Sequence, residues 1–186
     1  MLRVILIPFF VFFMFADFVP GNSWIALAIF IIASLTDMLD GKIARKRNLV
    51  TNFGKFMDPL ADKLLVVCAL LCLLVVDGGE RICENETLAC ISIIIIVARE
   101  FIISGFRLVA SDAGIVIAAS YWGKFKTATT MVAICLMIVV KELTFLKIPA
   151  LVLYCIAVIL TLISLIDYIV KNKNVIADAG SGKKEK

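Results

Sequence analysis

The chain has 186 residues, of which 62% are hydrophobic, and its mean hydropathy is +1.06. A soluble domain is about 45–50% apolar, so this composition predicts an integral membrane protein. The net charge of +4 suits anionic headgroups and phosphates at a membrane surface, and we expect no nucleic-acid partner. The chain contains no histidine, which excludes histidine-dependent catalysis and most transition-metal sites.

Six apolar segments are candidate membrane spans, because a spanning helix needs about 20 mostly apolar residues. They cover approximately residues 4–19, 24–40, 60–77, 88–110, 123–140 and 148–170. The sequence therefore predicts an all-α integral membrane protein, with a six-helix membrane domain over residues 1–170. Residues 171–186 are expected to form a basic, disordered tail.

The positions of lysine and arginine predict the orientation of these spans. If both termini are cytoplasmic, only three of the 19 basic residues lie on the outer side, namely Arg81, Lys141 and Lys147. By the positive-inside rule we expect a multi-pass protein of the cytoplasmic membrane with both termini, and the tail, in the cytoplasm. Residues 37–62 would then lie at the cytoplasmic face.

Four carboxylates stand beside apolar runs in that stretch, although an unpaired charge at the centre of a membrane helix costs roughly 2.5–3.5 kcal/mol. Helical spacing places them on two faces. One face carries Asp37, Asp40, Gly41, Ala44 and Arg45, and the other carries Gly54, Asp58 and Asp62. Pro59 predicts that the second helix either begins at Asp58 or kinks there.

Two facing stripes of carboxylates can surround one or two divalent cations. All-oxygen ligands favour Mg²⁺ or Mn²⁺. Basic residues that could clamp a phosphate accompany them near the same membrane face: Arg45, Arg99, Arg107, Lys124 and Lys126. The residues alone thus predict metal-dependent phosphoryl-type chemistry on a lipid-linked substrate.

Other interpretations of the same residues stay open. The aspartates could relay protons or cations in a transporter, and the small residues Gly41, Ala44 and Gly54 could be helix-packing contacts. The basic loops could serve as topology signals only. A purely structural or scaffold protein would show no metal-dependent catalysis.

The pattern Asp37-x2-Asp40-Gly41-x2-Ala44-Arg45-x8-Gly54-x3-Asp58-x3-Asp62 resembles the signature of the CDP-alcohol phosphotransferases at every position. The resemblance implies a six-helix membrane enzyme, usually a homodimer, that transfers the phospho-alcohol group of a CDP-linked donor and releases CMP. It implies that Asp37, Asp40 and Asp58 hold two Mg²⁺ or Mn²⁺ ions, and that Asp62 is the general base and also a metal ligand. It assigns Gly41, Ala44, Arg45 and Gly54 to the cytidine diphosphate, and makes residues 1–170 the catalytic domain.

Further segments resemble the bacterial phosphatidylglycerophosphate synthases, a branch of that family. They are Thr51 to Lys63, Arg99-Glu100-Phe-x2-Ser104-Gly105-x-Arg107, and Gly123-Lys124-x-Lys126-Thr127. This resemblance implies CDP-diacylglycerol as donor and glycerol 3-phosphate as acceptor, in the setting of a lipid bilayer. The residues expected to bind the acceptor phosphate are Arg99, Ser104, Arg107, Lys124 and Lys126.

Two points qualify this assignment. A cardiolipin-type or phosphatidylserine-type synthase would keep the aspartate signature and change the acceptor residues. Family members also usually carry a polar, amphipathic segment before the first span, whereas almost nothing precedes Arg3 in this sequence. Either this sequence starts within the natural protein, or headgroup contacts from such a segment are absent.

Overall fold

The structure of the protein is a computed structural model that describes residues 2–47, 52–76, 82–83, 85–112 and 121–172. Within these ranges it describes only the backbone of residues 2, 37–47, 52–62, 109, 111 and 112. The tail predicted over residues 171–186 lies mostly outside the described residues. The division into a domain and a tail therefore stays a prediction.

The described residues form six α-helices and no β-strand, which confirms the all-α prediction. The helices are α1 (Leu2–Phe15), α2 (Asn22–Arg47), α3 (Asn52–Val75), α4 (Glu86–Asp112), α5 (Tyr121–Val139) and α6 (Lys147–Lys171). A 3-10 turn, Thr144–Leu146, precedes α6. Each helix overlaps one of the six apolar segments, because an apolar run in lipid must satisfy its backbone hydrogen bonds internally.

Three of these helical segments are long and apolar enough to cross a membrane: Glu86–Leu108, Tyr121–Val139 and Thr144–Lys171. The other three contain shorter apolar stretches, Arg3–Phe15, Asn22–Thr36 and Lys63–Val75. The chain is thus a helical membrane protein. Six spans remain a prediction.

The helices α2 and α3 differ from the predicted apolar segments at the ends that carry the aspartates. The helix α2 continues to Arg47 and α3 begins at Asn52. Of the two alternatives predicted from Pro59, a helix that begins at Asp58 is therefore wrong, and a kink at that position stays a prediction. The physical reason is that polar residues continue a helix when their backbone hydrogen bonds are made within it. Both halves of the signature therefore have helical backbone.

A tight turn joins α1 to α2, as Pro20-Gly21-Asn22 predicts. Gly21 has φ of +73°, a conformation that costs glycine little because it has no Cβ. At the same end of the bundle, Lys141 after α5 donates to Asp17 after α1 at 2.6 Å. At the opposite end, Nε of Arg3 donates to the carbonyl oxygen of Ala33 at 3.2 Å, which ties the start of α1 to α2.

Small residues line many contacts between helices, and many large apolar side chains are exposed on the outer faces. The packed alanines are Ala26, Ala33, Ala69, Ala89, Ala133, Ala150 and Ala157, each with no exposed surface. By contrast, Phe9, Ile94 and Ile159 are each more than half exposed. Close backbone approach through small residues is typical of membrane helices, whose apolar outer faces contact lipid. The distribution therefore fits a bundle embedded in a bilayer.

The difference between the two faces of α2 can be tested with a matched pair of alanines. We expect Ala26→Leu to lower the free energy of unfolding by about 1–3 kcal/mol, because a larger side chain does not fit a packed contact. Ala28 is exposed on the same helix, so Ala28→Leu should leave stability nearly unchanged. Thermal unfolding of both variants in detergent is the measurement, and equal melting temperatures would contradict the packing of α2 described above.

Candidate active site

The aspartate signature occupies the last turns of α2 and the first turns of α3. Helical backbone runs from 22 to 47 and from 52 to 75, and the two helices contact each other. Asp37 and Asp40 therefore share one face of α2, and Asp58 and Asp62 share one face of α3. Four carboxylates on adjoining helices are a donor set that fits hard divalent cations.

The side chains of the signature residues lie outside the described part of the structure. The metal-binding assignment of Asp37, Asp40, Asp58 and Asp62 and the catalytic role of Asp62 therefore stay predictions. The same is true of the cytidine diphosphate contacts predicted for Gly41, Ala44, Arg45 and Gly54. Among the side chains that are described, no three carboxylates or thiols gather into a second metal site.

A charged cluster, which we define as Arg99, Glu100, Lys126 and Ser164, connects α4, α5 and α6. Oε1 of Glu100 accepts hydrogen bonds from Nη1 of Arg99 at 2.9 Å and from Nζ of Lys126 at 2.7 Å. Arg99 is 6% exposed and Lys126 is 2% exposed. Charges so deeply buried require partners, and one carboxylate oxygen supplies a partner to both cations.

The Arg99 guanidinium also contacts α6, the third helix of the cluster. Its Nη2 donates to Oγ of Ser164 on α6. Its Nε is buried and makes no hydrogen bond within the described residues. A buried donor without an acceptor is costly, so this nitrogen is suited to an anionic or water ligand.

The other residues predicted to bind the acceptor phosphate are placed differently. Ser104 lies one turn beyond Glu100 on α4 and donates to its backbone carbonyl oxygen at 2.7 Å. Arg107 is half-buried further along the same helix. Lys124 is exposed, with its Nζ 5.9 Å from the centre of the Tyr121 ring. The structure thus brings Arg99 and Lys126 together, and directs Lys124 away from Lys126.

A cleft lies between α3, α4 and α5, beside the charged cluster. One part of its wall is polar and the other is apolar. The polar part is lined by Lys63, Glu100, Lys126, Thr127 and Thr130, and the apolar part by Val66, Val67, Leu70, Ile96, Val97 and Met131. Because Lys63 directly follows Asp62 in the chain, the cleft connects the signature end of α3 with the charged cluster.

Comparison of the sequence with known proteins places this chain in a family. The sequence profile of the CDP-alcohol phosphatidyltransferases matches residues 1–166. That range contains both aspartate helices and the whole charged cluster. The chain belongs to the CDP-alcohol phosphatidyltransferase family.

Several relatives within this family bear the name CDP-diacylglycerol–glycerol-3-phosphate 3-phosphatidyltransferase. The protein of Haemophilus influenzae is 41% identical over 180 residues, which cover 95% of this chain and 91% of the relative. The Bacillus subtilis protein is 43% identical over 143 residues, covering 71% and 69%. The Escherichia coli K12 protein is 36% identical over 169 residues, covering 90% and 88%.

Four residues of the cleft and the charged cluster or beside them were given no role from the sequence: Lys63, Glu100, Gly123 and Ser164. The first three lie in the segments that carry the resemblance, whereas Ser164 does not. A carboxylate directly after Arg99 in an apolar helix does signal an ion pair. Its second partner, Lys126, is 26 positions away, and helical periodicity gives no information over that distance. Nothing in the apolar sequence around Ser164 distinguishes this serine from a small residue that only packs between helices.

Gly123 allows α5 to approach the charged cluster closely. A Cβ at this position would lie 3.2 Å from Nη2 of Arg99 and 3.8 Å from Oγ of Ser164. The guanidinium is buried and held at both ends by hydrogen bonds, so it has little room to move. At Gly105 on α4, in contrast, a Cβ would meet nothing within 4 Å.

These two glycines give a matched test of the cluster. We expect Gly105→Ala to leave stability equal or higher, because alanine is favoured over glycine by about 1 kcal/mol in a helix. Gly123→Ala should lower it, because the added methyl group displaces Arg99 from Glu100 or Ser164. Thermal unfolding in detergent compares the two, and a stabilised Gly123→Ala variant would show that the cluster tolerates a wider separation.

Proposed function

We propose that the protein transfers the phosphatidyl group of CDP-diacylglycerol to a hydroxyl of glycerol 3-phosphate, giving phosphatidylglycerol phosphate and CMP. The observation that carries this proposal is the 41% identity, over 95% of the chain, to a relative named for that reaction. The complete aspartate signature on α2 and α3 supports the transfer chemistry. The buried Arg99 and Lys126 support an acceptor that bears its own phosphate.

The donor would bind at the signature end of α2 and α3. Asp37, Asp40, Asp58 and Asp62 would hold two Mg²⁺ or Mn²⁺ ions. When bound, the ions would neutralise the donor pyrophosphate and stabilise the charge that develops as its phosphorus is attacked. The small residues Gly41, Ala44 and Gly54 leave space beside the helix backbone for the cytidine diphosphate, and Arg45 would pair with its phosphate charge.

The reaction itself requires one proton transfer and one exchange of phosphorus–oxygen bonds. Asp62 takes the proton from the sn-1 hydroxyl of glycerol 3-phosphate. The hydroxyl oxygen then forms a bond to the phosphorus on the lipid side of the pyrophosphate. The bond from that phosphorus to the bridging oxygen breaks, and CMP leaves with the electron pair.

The buried cations beside the cleft, into which Lys63 also projects, would position the acceptor. Arg99 and Lys126 would bind its phosphate through charge-assisted hydrogen bonds. Ser104 and Arg107 would add contacts from α4, and the exposed Lys124 would add only longer-range positive charge from the start of α5. A cardiolipin-type or phosphatidylserine-type acceptor offers no comparable small phosphate monoester, so the buried cations favour glycerol 3-phosphate over these alternatives.

The setting of the reaction follows from the distribution of charge and apolar surface. We propose that all six helices span the cytoplasmic membrane, that both termini and the active site face the cytoplasm, and that the enzyme acts as a homodimer. Orientation is supported by the excess of lysine and arginine on one side. The apolar outer faces of the helices support contact with lipid along the whole bundle.

The function is tested by CMP release from CDP-diacylglycerol with a panel of acceptors. We expect release with glycerol 3-phosphate, much less with glycerol, serine or phosphatidylglycerol, and none after chelation of divalent cations. Adding Mg²⁺ or Mn²⁺ back should restore it, because the signature carboxylates need a cation to hold the pyrophosphate. Equal turnover of an acceptor without a phosphate would contradict the proposed acceptor.

The role of Asp62 is tested by Asp62→Asn. We expect CMP release to fall by about 10²–10⁴-fold, which is the usual contribution of a general base, while most CDP-lipid binding is retained. Asp17→Asn, at the opposite end of the bundle, is the control and should keep normal turnover. Full activity of Asp62→Asn would remove this carboxylate as the base.

A further inference from the structure

Glu100 presents its two carboxylate oxygens to different surroundings. Oε1 accepts from both Arg99 and Lys126. Oε2 makes no hydrogen bond with the described residues. The side chain is 18% exposed and lines the cleft between α3, α4 and α5. One oxygen is therefore fully engaged by the protein, and the other is available to a ligand in the cleft.

Two buried cations fix the orientation of this carboxylate. Arg99 is itself held to α6 through Ser164, and Lys126 is almost completely buried on α5. Rotation of Glu100 away from them would leave two buried charges without their partner, which is strongly unfavourable. The free oxygen is thus preorganised, and binding to it costs little additional ordering.

The chemistry of a free carboxylate oxygen restricts what it can bind. It only accepts hydrogen bonds, so its ligand must be a donor such as a hydroxyl group. It repels a phosphate, which would instead bind to the cations. Arg99 supplies a suitable atom, because its buried Nε makes no hydrogen bond within the described residues.

The order of groups along the cleft matches a small polyol phosphate. Lys126 lines the cleft and is hydrogen-bonded to Glu100, which also lines it. Lys63 lines the cleft from α3 and directly follows Asp62 in the chain. In glycerol 3-phosphate the phosphate, the secondary hydroxyl and the attacking hydroxyl follow one another on consecutive carbons. The cluster cations, Glu100 and Asp62 are of the appropriate chemical type for these three groups, in the same order.

We propose that Glu100 is a specificity-determining residue that accepts a hydrogen bond from the secondary hydroxyl of the acceptor. The inference rests on the proposed function, in which the acceptor is glycerol 3-phosphate. It assigns Glu100 a direct role in selecting vicinal diol phosphates, in addition to its role in holding Arg99 and Lys126. An acceptor of equal length and charge that lacks the secondary hydroxyl leaves the carboxylate oxygen without its donor.

The test compares glycerol 3-phosphate with 3-hydroxypropyl phosphate, which lacks only that hydroxyl. We expect wild-type kcat/KM to be at least about 100-fold higher for glycerol 3-phosphate, since a site built to bind a hydroxyl rejects analogues without it. In Glu100→Gln the ratio should fall below about 10-fold, because the amide replaces the charged acceptor. The KM for CDP-diacylglycerol should change little. Glu142→Gln, near the other end of the bundle, should keep the wild-type ratio.

The possible outcomes separate this inference from the proposed function. If Glu100→Gln slows both acceptors by the same factor, Glu100 has only a structural role and the inference is wrong. If the wild-type protein uses both acceptors within about threefold, the inference is wrong whether or not the variant folds. If the wild-type protein releases no CMP with either acceptor, the proposed function fails, and the inference fails with it.

Discussion

The hydrogen bonds from Arg99 and Lys126 to one oxygen of Glu100 are the interaction on which the inner part of the bundle depends. Two cations buried among apolar helices would each be strongly unfavourable alone. Their shared carboxylate joins α4 to α5, and the bond from Arg99 to Ser164 extends the connection to α6. These are the three helices that contain segments long and apolar enough to cross a membrane. The shared hydrogen bonds give them one defined register at this level, although dispersion forces between apolar faces are not directional.

The same interaction leaves an excess of positive charge. Arg99, Lys126 and Glu100 together carry a net charge of +1 beside the cleft. A phosphate bound next to them would interact strongly with this charge, because the apolar wall of the cleft weakens screening by water. The charged cluster is therefore suited to an anionic ligand.

The sequence predicted the helices well and the side-chain partnerships only in part. Apolar runs located all six helices, because burial in lipid requires long internally bonded segments. Helix ends were less accurate at Asn52, since polar residues extend a helix without extending its apolar run. Lys124 and Lys126 were assigned one role from residue type alone. Residues two apart on a helix point about 200° away from each other, and in the structure Lys126 is buried while Lys124 is exposed. Helical periodicity already contains that difference.

The active site has to join a water-soluble acceptor to a lipid donor, and the cleft has a surface for each. Its polar wall, with Glu100 and Lys126, offers charges and hydroxyls to a phosphate that must leave water. Its apolar wall, including Val66 and Ile96, is continuous with the core of the bundle. A carboxylate pinned by cations suits this boundary, because it remains charged and oriented beside an apolar surface without needing water to solvate it. Selectivity for the acceptor and stability of the bundle therefore depend on the same residue.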